Sequence, residues 1–245
     1  MKALGVTKGY IGIEANKPKA IDVMKKALSG DASLSVATLR VKYPQGAEKM
    51  LIKALVNREV PPRALPLDVG VVVQNVATAV AVHDAVRYGR PLVERVVTVT
   101  GDAITEPKNL LVRIGTSVAD LVGECGGFAG DPAKLIMGGP MMGFALPSAN
   151  TPVTKGTSGI IALSAKSALC SDDFGPCFKC GRCIDACPMG LIPSMLGILS
   201  EKGFYEETKQ YNVHDCFECG SCTYVCPSKR PMVQFIKLAK SLVKP

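Results

Sequence analysis

Eight of the ten cysteines form two runs with identical spacing in the last third of the chain. Each run follows the pattern C-x2-C-x2-C-x3-C and is followed directly by proline. In this pattern closely spaced thiolates on a tight loop bind three corners of one 4Fe–4S cluster. The spacing therefore predicts a domain that holds two such clusters. The first run is Cys177, Cys180, Cys183 and Cys187, and the second is Cys216, Cys219, Cys222 and Cys226.

The fourth cysteine of each run is displaced by three residues and is expected to bind the other cluster, as in bacterial ferredoxins. Structural zinc is the alternative, because two C-x2-C pairs can form a four-thiolate site. Zinc gives no reason for two matched quartets that each end in Cys-Pro. Disulfides are not expected, since the chain opens with no secretory signal. One cluster is thus assigned to Cys177, Cys180, Cys183 and Cys226, and the other to Cys216, Cys219, Cys222 and Cys187.

The sequence around the two runs predicts a helix-rich domain with helices over 193–203 and 232–242. Cys125 and Cys170 lie outside the runs and are expected to be spectator thiols. His214 either donates a hydrogen bond to a cluster sulfur or faces solvent. The basic residues near the C-terminus are expected to form a solvated helix face, with an acidic partner or lipid headgroups as the alternatives. They are Lys229, Arg230, Lys237, Lys240 and Lys244.

The net charge of the chain can be interpreted only when the charge of the clusters is included. Its 29 Lys and Arg residues against 21 Asp and Glu residues give a formal net charge of +8, which by itself would suggest nucleic acid as a partner. Two oxidised clusters with their thiolates contribute about −2 each. Basic residues do not alternate with aromatic ones in the way that binds single strands, so nucleic acid is not expected. No run of about 18 apolar residues predicts a membrane span.

The first two-thirds of the chain divide into two regions with different patterns of predicted helices and strands. Residues 1–91 alternate strands, at 10–13, 34–41 and 71–73, with helices at 17–28, 46–57 and 75–87, which predicts an α/β domain. Residues 92–150 carry a strand pair, a short helix and a further strand, which predicts a β-grasp module. We expect residues 151–169 to be a linker and residues 170–245 to form the di-cluster domain.

Several motifs precede the two cysteine runs. Together with those runs, they make the whole chain resemble the C subunits of Rnf-type ion-translocating electron transport complexes. The resemblance implies that the α/β part is similar to the flavoprotein subunit of respiratory complex I, which holds FMN and meets NADH. It also implies a soluble-ligand-binding β-grasp module. The motifs are IEANKP at 13–18, YPQGAEKMLI at 43–52, VVVQNVATA at 71–79, GDAITEP at 101–107, MGGPMMG at 137–143 and KGTSGI at 155–160.

The function that this resemblance implies is electron transfer between NAD(H), flavin, the two clusters and membrane-embedded partners. The complex as a whole is implied to be an ion-translocating ferredoxin:NAD oxidoreductase, with this subunit peripheral on the cytoplasmic side of the membrane. A non-catalytic electron relay or adaptor is one alternative, and a related flavin-dependent cobalamin reductase is another. No Ser–His–Asp or Cys–His pairing suggests nucleophilic catalysis, and no catalytic residue is assigned.

The resemblance also implies flavin contacts. Tyr43, Gly46 and Glu48 match a Tyr-x-x-Gly-Glu-Glu stretch of the complex I flavoprotein, with Ala47 in place of the first glutamate. Residues 73–76 match its Val-Asn-Asn-Val stretch, so that Val73, Gln74 and Asn75 are further candidates. An ordinary strand–loop–helix turn is the alternative for both stretches. The family's Gly-rich flavin-phosphate loop precedes these stretches and does not occur here, so we expect either a fragment of a longer subunit or a shortened natural form.

Overall fold

A computed structural model of the protein describes Met1, residues 4–168 and residues 174–244. The chain divides into two compact units, Met1–Gln74 and Asn75–Pro245. None of the helices in the described ranges has the length and hydropathy that crossing a bilayer requires.

The first unit is a strand–helix–strand arrangement followed by a second helix. Strands β1 (Gly9–Glu14) and β2 (Leu34–Leu39) pair in parallel, joined through helix α1 (Pro18–Ala27). Proline in the first turn and lysines in the last turn suit the two ends of α1. Helix α2 (Glu48–Val56) follows and buries Ile52. The predicted strands and helices in this unit are confirmed except for the strand at 71–73, which is irregular in the structure.

The second unit begins with helix α3 (Val76–Tyr88), which ends at the left-handed Gly89. Every residue of α3 is at least partly exposed. The α/β domain was expected to continue to residue 91, whereas the division of the chain assigns α3 to the second unit.

A five-stranded sheet with strand order β4-β3-β7-β5-β6 forms the first part of the second unit. Its central strands bury alternate apolar side chains against helix α4 (Val118–Glu124), and the core includes Val97, Val99, Leu121 and Ile160. The predicted strand pair is confirmed as an antiparallel hairpin of β3 and β4. The strands are β3 (Glu94–Thr100), β4 (Lys108–Arg113), β5 (Lys134–Met137), β6 (Phe144–Ala145) and β7 (Gly159–Leu163).

The expected linker at 151–169 is wrong for the stretch that forms β7. This strand pairs in parallel with β3 and antiparallel with β5, so it lies inside the sheet. Its sequence GIIAL buries Gly159, Ile160 and Ala162, and burial on both faces is the reason that no strand-like alternation marks it.

The last part of the second unit is helical, as predicted. Helices α6 (Pro193–Glu201) and α8 (Met232–Leu242) pack against each other and bury Leu196, Ile236 and Ala239. Short helices α5 (Arg182–Asp185) and α7 (Ser221–Tyr224) lie within the two cysteine runs, and two 3-10 helices cover Glu206–Tyr211 and Val213–Asp215. This domain therefore places two similar loops on a pair of packed helices.

Candidate iron–sulfur sites

The two cysteine runs fold in the same way. In each run, left-handed residues stand immediately before and after the second cysteine, and a short helix starts directly afterwards. A third left-handed residue follows the fourth cysteine by three positions. Alternation of right- and left-handed backbone turns successive N–H groups into a concave surface that suits an anion. The left-handed residues are Lys179, Gly181 and Gly190 in the first run and Glu218, Gly220 and Lys229 in the second.

One cavity is lined by four cysteines from both runs. Three cationic residues take part in its remaining wall. The edge of this cavity is open, since Cys180 is exposed and Phe178 keeps 64% of its surface accessible. The cysteines of this first cavity are Cys177, Cys180, Cys183 and Cys226, and the cations are Lys179, Arg182 and Arg230.

A second cavity is lined by the other four cysteines. Its remaining wall is largely apolar, and Cys219 and Cys222 are buried. The side chains that form this wall include Leu191, Leu196, Val233 and Ile236, and the cysteines are Cys187, Cys216, Cys219 and Cys222.

The two cavities share a wall at the start of α8. Met232 lines the first cavity, and the next residue, Val233, lines the second. Both side chains pack with Cys222 of the second set, and Cys183 of the first set lies against them. The structure thus brings together each quartet expected from the spacing and places the two quartets next to each other.

Burial controls the protonation of these thiols. Burial, with smaller contributions from the charges of Cys216 and Cys219, raises the pKa of Cys222 to about 12. Burial also raises the pKa of Cys216, and that of Cys183, where hydrogen bonds with Ser194 oppose the rise. A cysteine that binds metal must be a thiolate, so binding of iron at these residues would release their protons and would stabilise the fold.

The arrangement fits a cluster better than a single ion. In the described ranges, no three Cys, His, Asp or Glu side chains converge on one point that a metal ion could occupy. The four thiols of each set instead surround a cavity, and the left-handed turns beside them suit an anionic group. Four sulfur donors around a space, with N–H groups near the sulfurs, are what a 4Fe–4S cluster requires.

Two cations near the cavities differ from the solvated helix face expected for the basic tail. Arg230 is 4% exposed and forms an ion pair with Glu201. Lys240 donates from Nζ to the carbonyl oxygen of Cys216 at 2.8 Å and to Glu218 Oε1 at 2.6 Å. The expectation is therefore wrong for these two residues, whereas Lys229, Lys237 and Lys244 are exposed as predicted. The repeat itself carries the signal for Arg230, because this residue stands where the first run has Leu191.

The remaining candidates lie outside the two cysteine quartets. Cys125 is buried in the core of the sheet, as predicted, and burial raises its pKa. Cys170 lies outside the described residues. The MGGPMMG segment forms a tight turn, and Met141 packs so closely on the second cysteine loop that a Cβ added at Gly220 would lie 2.9 Å from the Met141 carbonyl oxygen. His214 has a buried Nε2 with no hydrogen-bond partner in the part of the chain that the structure describes.

The first group of flavin candidates lies where the chain enters α2. Tyr43 is 49% exposed, and Gly46 belongs to the turn that follows it. Glu48 is the exposed first residue of α2. A Cβ added at Gly46 would meet nothing within 4 Å, so the backbone here is open to close approach.

The second group lies on the irregular segment before α3. Val73 is partly buried and Gln74 is exposed, and both belong to the first unit. Asn75 opens the second unit and caps α3, because its Oδ1 accepts a hydrogen bond from the backbone N–H of Ala77 at 2.9 Å. The sequence motif is therefore also a helix-capping motif at this position.

Three family models match the chain in the order of its parts. Residues 1–84 match the Nuo51 FMN-binding domain, residues 96–145 match the SLBB domain, and residues 176–229 match the 4Fe-4S dicluster domain. These matches confirm the predicted fold class and the prediction of 4Fe–4S clusters.

Two solved structures share this fold. A chain of the NAD+-reducing NiFe-hydrogenase in the H2-reduced state aligns over 100% of this chain and 50% of its own length, with a TM-score of 0.61 and 18% identity. The air-oxidized state of such an enzyme aligns over 98% of this chain and 41% of its own length, with a TM-score of 0.56 and 18% identity. The likeness extends the fold assignment to the whole chain.

Curated relatives are closer in sequence. The C subunit of the proton-translocating ferredoxin:NAD(+) oxidoreductase complex of Clostridium ljungdahlii is 57% identical over 98% of this chain and 52% of its own length. Its counterpart in the Na(+)-translocating complex of Acetobacterium woodii is 47% identical over 98% of this chain and 54% of its own length. The chain spans about half the length of these relatives. It belongs to the family of C subunits of Rnf-type ion-translocating oxidoreductase complexes.

Proposed function

We propose that this chain is the electron-transferring part of an Rnf-type C subunit, passing electrons between NAD(H) and FMN on one side and membrane partners on the other. The observation that carries the proposal is the pair of cysteine-lined cavities with a common wall. Electrons pass readily between redox centres that lie close together in a dry surrounding, and the wall between these cavities is formed by Met232 and Val233. The redox chemistry belongs to the clusters, while the protein places them and sets their surroundings.

The lining of the cavities supports the ligand sets that we propose. We assign Cys177, Cys180, Cys183 and Cys226 to one cluster and Cys187, Cys216, Cys219 and Cys222 to the other. Each set joins three cysteines of one run with the fourth cysteine of the other, so both runs are needed for both clusters. Exchange of the fourth cysteine also ties the loops before α6 and α8 to each other.

The flavin contacts are assigned to Tyr43, Gly46, Glu48, Val73, Gln74 and Asn75. The half-exposed ring of Tyr43 is suited to stacking, and the open backbone at Gly46 admits a planar ring system. The side-chain oxygen of Asn75 accepts the capping hydrogen bond of α3, and we assign the contact with the flavin to its amide nitrogen, which can donate. The match of residues 1–84 to an FMN-binding domain supports this assignment.

The partners proposed here are the other subunits of the same complex, among them membrane and iron–sulfur subunits. The names of the relatives support a complex that couples ferredoxin:NAD(+) oxidoreduction to translocation of an ion. We place the chain peripherally on the cytoplasmic side of the membrane, held there through those partners.

Anaerobic reconstitution with iron, sulfide and FMN tests the function. We expect about eight iron atoms per chain and two EPR-active clusters after reduction with dithionite. Reconstitution that gives a single iron ion per quartet instead of a cluster would contradict the proposed function.

The same sample then separates a flavin-containing conductor from a simple relay. Bleaching of the visible spectrum by NADH, lost in a Tyr43→Ala variant, would support the flavin contacts. Bleaching by dithionite alone would contradict those contacts and leave the chain as an electron relay without a flavin of its own. Lys8→Ala, a substitution at an exposed position before β1, is the matched control for effects that any substitution in the first unit would have.

A further inference from the structure

The two cavities differ in one buried charge. Arg230 lines the first cavity, and its position in the repeat is taken by Leu191 in the wall of the second. Both side chains lie four residues after the last cysteine of their run, and both are buried, at 4% and 8% exposure. The repeat therefore places a cation beside one cluster and a hydrocarbon side chain beside the other.

The surroundings of Arg230 hold its guanidinium in place from three sides. Nη1 donates to the carbonyl oxygen of Gly175 at 3.1 Å, and Nη2 forms an ion pair with Glu201. The planar group lies over the rings of Phe174 and Phe235, at 5.2 and 5.8 Å from their centroids. These contacts fix the orientation of a group that cannot be deprotonated in a protein.

The third nitrogen of the guanidinium, Nε, differs from Nη1 and Nη2. Nε of Arg230 is buried and has no hydrogen-bond partner in the described ranges. A buried N–H without an acceptor is unfavourable, so such a group calls for an acceptor in the loaded protein. The sulfur atoms of a cluster held by Cys226 and its three companions would supply acceptors in the cavity that Arg230 lines.

We propose that Arg230 raises the reduction potential of the cluster in the first cavity above that of the cluster in the second. Reduction adds one electron from a low-potential donor and takes the cluster with its thiolates from about −2 to about −3, with no bond made or broken. A fixed cation and a donated hydrogen bond stabilise the added charge. Glu201 does not line the cavity, so the cation of the ion pair is the nearer of the two charges. The inference rests on the proposed function, since it requires both clusters.

Two variants are expected to change the potential in opposite directions. Arg230→Leu gives the first cavity the side chain of the second and removes both charge and donor. We expect reduction of that cluster to become at least tenfold less favourable, which is about 59 mV for one electron. Glu201→Gln removes the counter-charge and keeps the cation, so we expect the same midpoint to rise. The midpoint of the second cluster should stay unchanged in both variants.

EPR-monitored redox titration of the reconstituted full chain measures these midpoints. Arg113→Leu removes the same charge from a side chain that is 86% exposed on β4 and is the matched control. Arg230→Lys keeps the charge without Nε and should give a midpoint between those of the native protein and Arg230→Leu. A native chain with two clusters and equal midpoints in all variants would overturn the inference while leaving the electron-transfer function intact.

A purely structural role gives a different pattern. It would lower the iron content or the stability of Arg230→Leu without moving the midpoint of the clusters that form. Should Arg230→Leu fail to assemble, Glu201→Gln and Arg230→Lys decide the question. An unchanged or lower midpoint in Glu201→Gln would then contradict the proposal. Failure of the native chain itself to hold two clusters would instead contradict the proposed function.

Discussion

In the cluster domain, some residues line only one of the two cavities, and others form the wall between them. Cys187 shows this most clearly, because it belongs to the first run in sequence and lines the second cavity in space. Its nearest cysteine along the chain, Cys183, lines the first cavity. Loss of one cysteine should therefore be felt in the cavity it lines rather than in the run that contains it.

Cys187→Ser is expected to disable the cluster that Cys216, Cys219 and Cys222 bind, and to leave about half of the iron in place. Because Cys219→Ser affects the same cavity, the EPR spectrum that remains should be the same in both variants. Cys226→Ser should leave a different spectrum, that of the second cluster. Cys125→Ser, in the core of the sheet, is the control and should retain both clusters. A Cys187→Ser spectrum that matches Cys226→Ser would contradict the pairing.

The carboxylate of Asp102 connects the turn after β3 to the residues that follow β7. This carboxylate accepts hydrogen bonds from the hydroxyl and backbone N–H of Ser164 and from the hydroxyl of Ser167, and these bonds lower its pKa from 3.8 to about 2. A lowered pKa means that the folded state prefers the charged form. The stabilisation is complete above the ordinary pKa and is lost as the pH falls through about 2.

We expect Asp102→Asn to lower the melting temperature at pH 7, and the difference from the native chain to narrow as the pH falls from about 4 to about 2. Thermal unfolding of the metal-free chain, followed by circular dichroism, measures this difference. Asp131→Asn, at an exposed position before β5, is the matched control. A difference that stays constant over this pH range would mean that the charge of Asp102 does not act through these bonds.

The sequence could predict which cysteines line each cavity, because spacing along the chain restricts which thiols can come together. The repeat aligns Arg230 with Leu191, but residue type and local spacing alone could not predict that Arg230 is buried and Lys240 half-buried. Their burial depends on Glu201 and Glu218, which the chain brings to them from distant positions. For charged residues of this kind, type and spacing indicate an exposed surface, while the tertiary contacts decide.

At the scale of elements, β7 joins the halves of the sheet. It pairs with β3 on one side and β5 on the other, and the turn after β3 passes directly over it. Gly101 in that turn has φ of 122°, and a Cβ added there would lie 1.9 Å from the carbonyl oxygen of Ala162 in β7. Only glycine fits this crossing.

Gly101→Ala is therefore expected to destabilise the sheet by at least about 1–3 kcal/mol, the usual cost of a disfavoured backbone conformation, with the clash added to it. Gly123→Ala is the matched control, because this helical glycine in α4 has nothing within 4 Å of an added Cβ. That variant should be stabilised by about 0.5–1 kcal/mol. Urea unfolding of both variants gives the comparison, and equal stability of the two would contradict the argument.

Helices and strands whose own sequence carries a periodic apolar pattern could be predicted. Those that form by pairing with strands far away in sequence could not. Helix α8 has its apolar residues at helical spacing, and its predicted bounds agree with the structure. Strand β7 has no such pattern because it is buried between two strands that lie far away in sequence. The opposite error occurs at 71–73, where three valines favour a strand but the structure has an irregular segment.

In the molecule as a whole, the second unit combines a sheet core of its own with a helical part built around the cysteines. The core of the sheet consists of apolar side chains such as Val97 and Ile160 and contains no cluster cysteine among the described residues. The helical core around Leu196 and Ile236 is smaller, and Cys187 and Cys216 pack against it. Binding of metal should thus stabilise the helical part far more than the sheet.

Removal of iron with a chelator is expected to abolish the amide protection of α6 and α8 and to leave that of β3 and β7 largely intact. Hydrogen exchange followed by mass spectrometry, before and after chelation, measures both regions in one sample. A sample whose visible spectrum shows that the clusters survive the chelator is the control and should keep its protection in both regions. Equal loss of protection in the sheet would mean that the unit unfolds as one body.

The wall shared by Met232 and Val233 also limits how the two halves of the repeat can diverge. Because Met232 lines the first cavity and also packs with Cys222 of the second set, we expect a substitution there to affect both redox centres at once. Positions such as 191 and 230, which face only one centre, are free of this constraint. Independent adaptation of the two centres, whether by selection or by engineering, should therefore be concentrated at such single-facing positions.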